Sequence, residues 1–234
     1  MLVNYVRITK GLSDFGQLIP VDQLSKVVQD YNKDYYRSVY RYNEAQYKEF
    51  QKTHSVGGVF DVTTPSVVFD FDSKDNIEQA RQDTAELVSR LIGLGVSRDQ
   101  ILVAFSGNKG YSVELETVHT FNPTQLKTLA NNLANGLSTL DNKVYNASRI
   151  FRMPYTKHQV TGLYKLPITI EQLTELTSDQ IRELAKDVNN AADPAVDGVI
   201  LPDAILALLK ETKEVEFKDL SDLGDIDYLS LIHI

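Results

Sequence analysis

Hydrophobic and polar positions follow two different periods along this chain, and the changes of period mark out its elements. Ile77, Ala80, Thr84, Leu87, Val88, Leu91 and Ile92 recur at helical spacing, which predicts a helix over Asn76–Leu94 that Gly93 and Gly95 bring to an end. Asn122 as a cap and Pro123 at the first helical position open a second helix, whose buried face is expected to be Leu126, Leu129, Ala130, Leu133, Leu137 and Leu140. Thr169 and Gln172 have the spacing of a capping box; a surface helix follows over Thr177–Asn189 and a shorter helical stretch over Asp203–Glu211. Shorter apolar runs predict strands at Leu2–Ile8, Val56–Val62 (entered through Gly57-Gly58), Ser66–Phe71, Ile101–Phe105 and Tyr111–Glu116. Past Pro20, the stretch Val21–Lys52 reads as mostly helical with a break near Asn32. After Asp141 the chain turns basic and strand-prone as far as Lys165.

The order strand, helix, strand, tight turn, strand over residues 66–116 predicts an α+β chain built on an RRM-like mixed sheet with a hairpin. An N-terminal α/β module precedes it. Composition loosens after Asn190, so a domain over 1–190 is expected, followed by an acidic, helical or loose segment over 191–234. The last residues, Leu229–Ile234, look like translated sequencing-adapter read-through from a truncated metagenomic contig, and the natural chain is expected to continue.

Composition sharpens this picture in three places. The 234 residues are 42% hydrophobic and 24% charged, as in ordinary soluble globular proteins. No apolar run approaches the roughly 20 residues that span a bilayer, and the opening MLVNYVRITKGL lacks a signal-peptide pattern, so a cytoplasmic protein without a membrane partner is expected. The absence of cysteine excludes disulfides and Cys-ligated zinc. A formal charge of −8 argues at first against a nucleic-acid partner. Its distribution argues otherwise: five Lys/Arg stand against fifteen Asp/Glu from residue 167 onward, leaving nineteen against seventeen before it.

Three stretches carry candidate chemistry. In Val67-Val68-Phe69-Asp70-Phe71-Asp72, strand alternation would project Asp70 and Asp72 from one face while Phe69 and Phe71 enter the core on the other. Two carboxylates so close repel, and a divalent cation is the usual remedy; a strand that merely ends in acids before a turn is the plain alternative. In Ser106-Gly107-Asn108-Lys109-Gly110-Tyr111-Ser112, two glycines permit a tight hairpin, and Lys109 with exposed N–H groups would suit phosphate oxygens, although an ordinary hairpin fits as well. A Walker A loop is excluded, because Gly-Lys-Ser/Thr is missing and a strand follows. In the third stretch, Asp141 is followed at eight and eleven residues by Arg149 and Arg152, then by Lys157 and His158. Arginines flanking Ile150 and Phe151 suggest a buried strand whose cations reach an anionic partner, with ion pairs to the acidic tail as the alternative. Tyr40 between Arg37 and Arg41 would suit bases and phosphates, or else a half-buried amphipathic helix.

Taken together and in this order, the three stretches resemble the archaeo-eukaryotic primase (AEP) superfamily, including primase-polymerases of phages and mobile elements. Asp70 and Asp72 match that family's strand ending in Asp-x-Asp/Glu, Ser106 through Ser112 its Ser-Gly hairpin, and Asp141 its distal acid. Arg149 and Arg152 match the basic pair of the primase-polymerase branch. Pro154-Tyr155-Thr156-Lys157-His158 with Thr161-Gly162-Leu163 resembles its last element, so the resemblance covers roughly residues 1–170. It implies a DNA primase or DNA polymerase active in replication, a nucleotidyltransferase acting on NTP or dNTP with a single-stranded DNA template and a primer strand. Asp70, Asp72 and Asp141 would hold two Mg²⁺ or Mn²⁺ ions. Ser106, Lys109, Ser112, Arg149, Arg152, Lys157 and His158 would bind the nucleotide, and Arg37, Arg41 and Tyr40 the nucleic acid. A replicative helicase is an implied partner, and a bacterial cell, with a phage gene included, the implied source.

Two departures qualify the resemblance. The family's hairpin His is Ser112 here, which can donate a hydrogen bond to phosphate but carries no charge. A zinc module of the kind that serves priming in relatives has no cysteines to build it, so extension rather than initiation is the expectation. Two other classes stay open: a weakly active or inactive RRM-like single-strand-binding accessory protein, and a phosphatase of the haloacid-dehalogenase type. The second shares Asp-x-Asp after an apolar strand, but Ser73-Lys74 stands where its Gly-Thr/Val should follow.

Overall fold

In the computed structural model, which describes residues 4–28, 30–56, 61–193, 195 and 198–209, alternation along residues 64–72 sets the architecture. Strand β4 (Thr64–Asp72) pairs antiparallel with β6 (Gly110–Phe121), so that Val67 faces Leu115, Phe69 faces Val113 and Phe71 faces Tyr111. These six side chains are buried in the main core, together with Leu87, Val88 and Leu91 of helix α2 (Ile77–Gly93) and Leu126 and Leu129 of α3 (Pro123–Leu133). The opposite face pairs Asp70 with Ser112, Val68 with Glu114 and Ser66 with Glu116. One face of the same two strands is oil and the other is charge.

Both predicted helices form where their caps place them. Asn76 accepts from Gln79 N–H at the start of α2, and Asn122 forms a reciprocal capping box with Gln125 at the start of α3. The α3 stripe stops earlier than expected: the helix ends at Leu133, and Leu137 and Leu140 pack against the core from the loop beyond it. The capping box of Thr169 and Gln172 opens α4 (Ile170–Glu175). The expected helix over Thr177–Asn189 is shorter, as α5 (Ser178–Leu184) followed by a single 3-10 turn at Val188–Asn190. Helix α6 spans Asp203–Ala207.

The chain is α+β, with two four-stranded antiparallel sheets among the described residues. The second sheet has the order β4-β6-β5-β8, where β5 is Leu102–Phe105 and β8 is Leu166–Ile168. Since β4 and β5 both run antiparallel to β6, they are parallel to each other across it. The β4–α2–β5 crossover therefore leaves a slot that β6 fills, and a sheet expected to be mixed has only antiparallel ladders. Parallel pairing among the described residues is confined to a bridge between Thr117 and Val199.

The first sheet corrects a larger expectation. Val21–Lys52 is not mostly helical: it contains a 3-10 turn at Val21–Lys26, strand β3 (Tyr35–Ser38) and helix α1 (Glu44–Thr53). Strand β3 lies between β1 (Tyr5–Lys10) and β7 (Ile150–Arg152), with β2 (Gln17–Pro20) on the far edge. Aromatic residues favour strands, and the two neighbouring strands supply ladder partners that no local pattern reveals. The expected strand at Val56–Val62 lies largely outside the described residues, as do Leu2 and Val3; Leu229–Ile234 and everything past 209 lie wholly outside. Among the described residues no helix is long and apolar enough to cross a membrane.

Candidate active site

Asp70 and Asp72 project from the charged face of β4, and the backbone brings the third acid to them. Asp72 N–H donates to Thr139 O at 2.9 Å, and Asp141 N–H donates to Asp70 O at 2.8 Å. Residues 139–141 thus form a short rung on the edge of β4 opposite β6, with Phe71 and Leu140 as bridge partners. The three aspartates offer carboxylate oxygens that all lie within 4.8 Å of one another. Below the rung, Tyr145 O–H donates to Val68 O at 3.1 Å, and Asp141 caps the 3-10 turn Asn142–Tyr145 by accepting from Lys143 N–H at 2.9 Å.

Three carboxylates at this separation cannot all stay charged without compensation. Burial first, then the charge of Asp72, then that of Asp141, push the Asp70 carboxyl up to about 7, against the pull of Lys165 and Arg149. Lys109 Nζ lies 2.7 Å from Asp72 Oδ2 and Arg149 lies 3.7 Å from Asp141 Oδ2, so among the described residues each outer acid has one cation and Asp70 has none in contact. A divalent cation fits this donor set, because hard oxygen ligands with surplus negative charge are what such ions bind.

The acids line a cavity of about 440 Å³ whose wall also includes Ser106, Lys109, Ser112, Arg149, Arg152 and His158. The hairpin that supplies the first three is tightly built. Gly110 has Phe71 O and Asp72 Oδ1 so close that a Cβ there would collide with both, and Gly107 adopts φ +81° against the Leu163–Tyr164 backbone. Ser106 Oγ accepts from Asn108 N–H at 3.3 Å and Gly110 N–H at 3.2 Å, so its oxygen shapes the turn. Thr161 O–H donates to Gly107 O at 2.5 Å and Arg182 to Asn108 O at 3.1 Å, clamping the hairpin to the loop before β8 and to helix α5. Ser112 Oγ and Arg149 Nε are buried atoms with no hydrogen-bond partner among the described residues. Buried polar groups are rarely left so, and both belong to residues that line the cavity.

His158 presents one defined nitrogen. Its Nδ1 accepts from Val160 N–H at 3.2 Å and Thr161 N–H at 3.3 Å, which leaves the proton of the neutral ring on Nε2. Burial first, then Arg152, hold its pKa below the usual imidazole value. Arg152 is anchored by Asp34, donates to Tyr36 O–H at 2.6 Å and sits 4.8 Å over the Tyr36 ring. Lys157 does not line the cavity; its ammonium sits 5.0 Å over the Tyr164 ring.

The residues expected to bind nucleic acid are placed elsewhere. Tyr40 is 0% exposed, and its O–H donates to Tyr145 O at 3.1 Å, so its ring is not available for stacking on a base. Arg37 is paired with Glu114 and Arg41 with Glu116, each at 2.6 Å. Both arginines line a separate cavity of about 310 Å³ that shares no wall residue with the first. Tyr35, Tyr36, Tyr40 and Tyr42 are all buried, and the half-buried arginines between them are held in the two ion pairs.

Lys165 and Lys143 line the main cavity although neither stood out in the sequence. Lys165 is 2% exposed, donates to Glu114 Oε1 and to Arg152 O at 3.0 Å each, and sits 3.9 Å over the Phe151 ring. A signal existed: Lys165 interrupts the apolar run Leu163–Ile168, and a lysine there needs a buried acid.

Fold and site together define an α+β protein with three clustered aspartates in the wall of a cavity of about 440 Å³ that basic side chains also line. No family model and no curated protein matches the chain. Among solved structures it is similar to the polymerase domain from Mycobacterium tuberculosis ligase D in complex with DNA, at 12% identity and a TM-score of 0.44, over 80% of this chain and 82% of that one. It is also similar to the AEP domain of the cyanophage S-2L primase-polymerase, at 16% identity and a TM-score of 0.41, over 78% of this chain and 89% of that one.

Proposed function

We propose that the chain is a template-directed nucleotidyltransferase of the primase-polymerase kind, with Asp70, Asp72 and Asp141 as its catalytic and metal-holding residues. One observation carries this: acids from two distant segments converge within 4.8 Å, in a cavity whose wall also holds Lys109, Arg149 and an unpartnered Ser112 hydroxyl. When bound there, a pair of Mg²⁺ or Mn²⁺ ions supplies Lewis acidity for the attacking hydroxyl and charge neutralisation for the leaving pyrophosphate.

The chain's own groups account for the rest. Lys109 and Arg149, now resting on Asp72 and Asp141, become free for triphosphate oxygens once those acids are otherwise engaged, and charge-assisted bonds of this type are the stronger ones. Ser112 donates its hydroxyl hydrogen, and His158 Nε2–H adds a neutral donor. Arg152 and Lys165, fixed by Asp34 and Glu114, keep that end of the cavity positive. The substrates are NTP or dNTP on a primed single-stranded DNA template.

The test is incubation with primed and unprimed single-stranded DNA, each nucleotide set, and Mg²⁺ or Mn²⁺ in turn. Extended primers are expected, and dinucleotides without primer would add initiation. No incorporation under any combination, with single-strand binding intact, would leave the binding module in place of the enzyme.

A further inference from the structure

The third carboxylate belongs to a loop, yet it must stay beside two like charges. Between the end of α3 at Leu133 and the 3-10 turn at Asn142, the chain makes a turn through Gly136 at φ +82°. Among the described residues two backbone hydrogen bonds, Asp72 to Thr139 and Asp141 to Asp70, hold the rung to β4. Mutual repulsion of the acids works against both.

A group from outside the site braces this rung. Asp83 on α2 is 5% exposed, and its Oδ2 accepts from Thr139 N–H at 2.9 Å and Thr139 O–H at 2.8 Å. Its Oδ1 accepts from Gln79 Nε2 at 2.8 Å. Ser138 O–H also donates to Oδ2, at 3.5 Å. Among the described residues Asp83 forms no ion pair, so a buried charge is held by hydrogen bonds alone, and two of the four, both short, come from Thr139, the residue that precedes the bridge. A buried carboxylate is expensive, and a plain structural contact here needs none.

We propose that Asp83 is a positioning residue for the metal centre: by gripping Thr139 from α2 it fixes the rung that presents Asp141 to Asp70 and Asp72. This rests on the three aspartates being a metal site. Asp83 touches neither substrate nor ion; it acts through Thr139, as partners behind ligating carboxylates do.

The test is a Mn²⁺ titration of the full chain followed by electron paramagnetic resonance, with the melting temperature recorded alongside. Asp83→Ala is expected to weaken Mn²⁺ binding about tenfold or more. Asp83→Asn, which keeps one carbonyl oxygen for the Thr139 N–H, should recover part of that loss, and Thr139→Val, which removes only the hydroxyl, should lose less than Asp83→Ala. A residue that merely stabilises the fold would lower the melting temperature and leave the Mn²⁺ affinity of the folded protein alone. Wild-type affinity in Asp83→Ala would overturn the proposal; should that variant not fold, wild-type affinity in both Asp83→Asn and Thr139→Val would do so. Failure of the wild-type chain itself to bind Mn²⁺ would overturn the metal site and this inference together, and is seen without any variant.

Discussion

Glu114 and Asp70 sit on the same charged face of neighbouring strands, one residue pair apart, and their fates are opposite. Burial would raise the pKa of Glu114, but Lys165 at 3.0 Å and Arg37 at 2.6 Å hold it below the usual carboxylate range. Burial also raises Asp70, and there Asp72 and Asp141 raise it further, to about 7, because Lys165 and Arg149 offset them only in part. One acid is compensated by the chain and ties strand β3 and Lys165 to the second sheet. The other is compensated only in part and lines a cavity. Incomplete compensation of this kind is what the proposed metal site requires, and Glu114 does not have it.

The sharpest way to break this contrast is to remove the under-compensated acid. Asp70→Ala should lower primer extension by roughly 10³-fold or more without lowering the melting temperature; an unchanged rate would dismiss the site. The compensated cluster should respond in stability instead. Lys165→Met leaves Glu114 buried with Arg37 as its remaining cation, and urea unfolding should show a loss of about 3–5 kcal/mol. The double variant Glu114→Gln/Lys165→Met should lose less than the two single losses combined, and additive losses would mean the pair is not coupled.

A pH experiment compares the clusters in one sample. An unfolded Asp has a pKa near 3.8 and folded Asp70 about 7, so the fold binds this proton more tightly. The associated stability is full below about pH 4 and is lost as pH rises through 7. Metal-free Asp70→Asn should therefore outlast wild type at pH 8, by roughly 1–4 kcal/mol, and match it more closely at pH 5. Mn²⁺ should raise the wild-type melting temperature at pH 8 and leave that of Asp70→Asn nearly unmoved. Equal stability of the two proteins at pH 8 without metal would show that Asp70 is not strained. The smallest effect is expected at Lys109, half-exposed and paired with Asp72: Lys109→Ala should raise the nucleotide KM about tenfold, the loss of one charge-assisted bond. A lower kcat with KM unchanged would assign it a different part.

Legibility varied with how local the determining interaction was. Helices α2 and α3 were readable because Asn76 and Asn122 cap them and their stripes repeat every turn. The Asp70–Asp72 face and the Gly107–Gly110 hairpin were readable for the same reason, since strand alternation and turn chemistry are set within a few residues. Strand β3 was not: Tyr35–Ser38 becomes a strand because β1 and β7 lie on either side, and β7 arrives more than a hundred residues later. Tyr40 was misplaced with it, because a tyrosine's exposure depends on what packs over it.

What the sequence by itself determined is the inventory: an acidic pair on one strand face, a glycine hairpin with a lysine, a distant acid with arginines behind it, and the helices that cover the core. Only the tertiary structure decided which of these charges meet. It brought Asp141 to Asp70 through one backbone rung, matched Lys165 and Arg37 to Glu114, and sent Arg41 to Glu116. Local propensity is a property of neighbours in the chain, whereas the compensation of a buried charge depends on what is near in space, and that is settled when the two sheets close on each other.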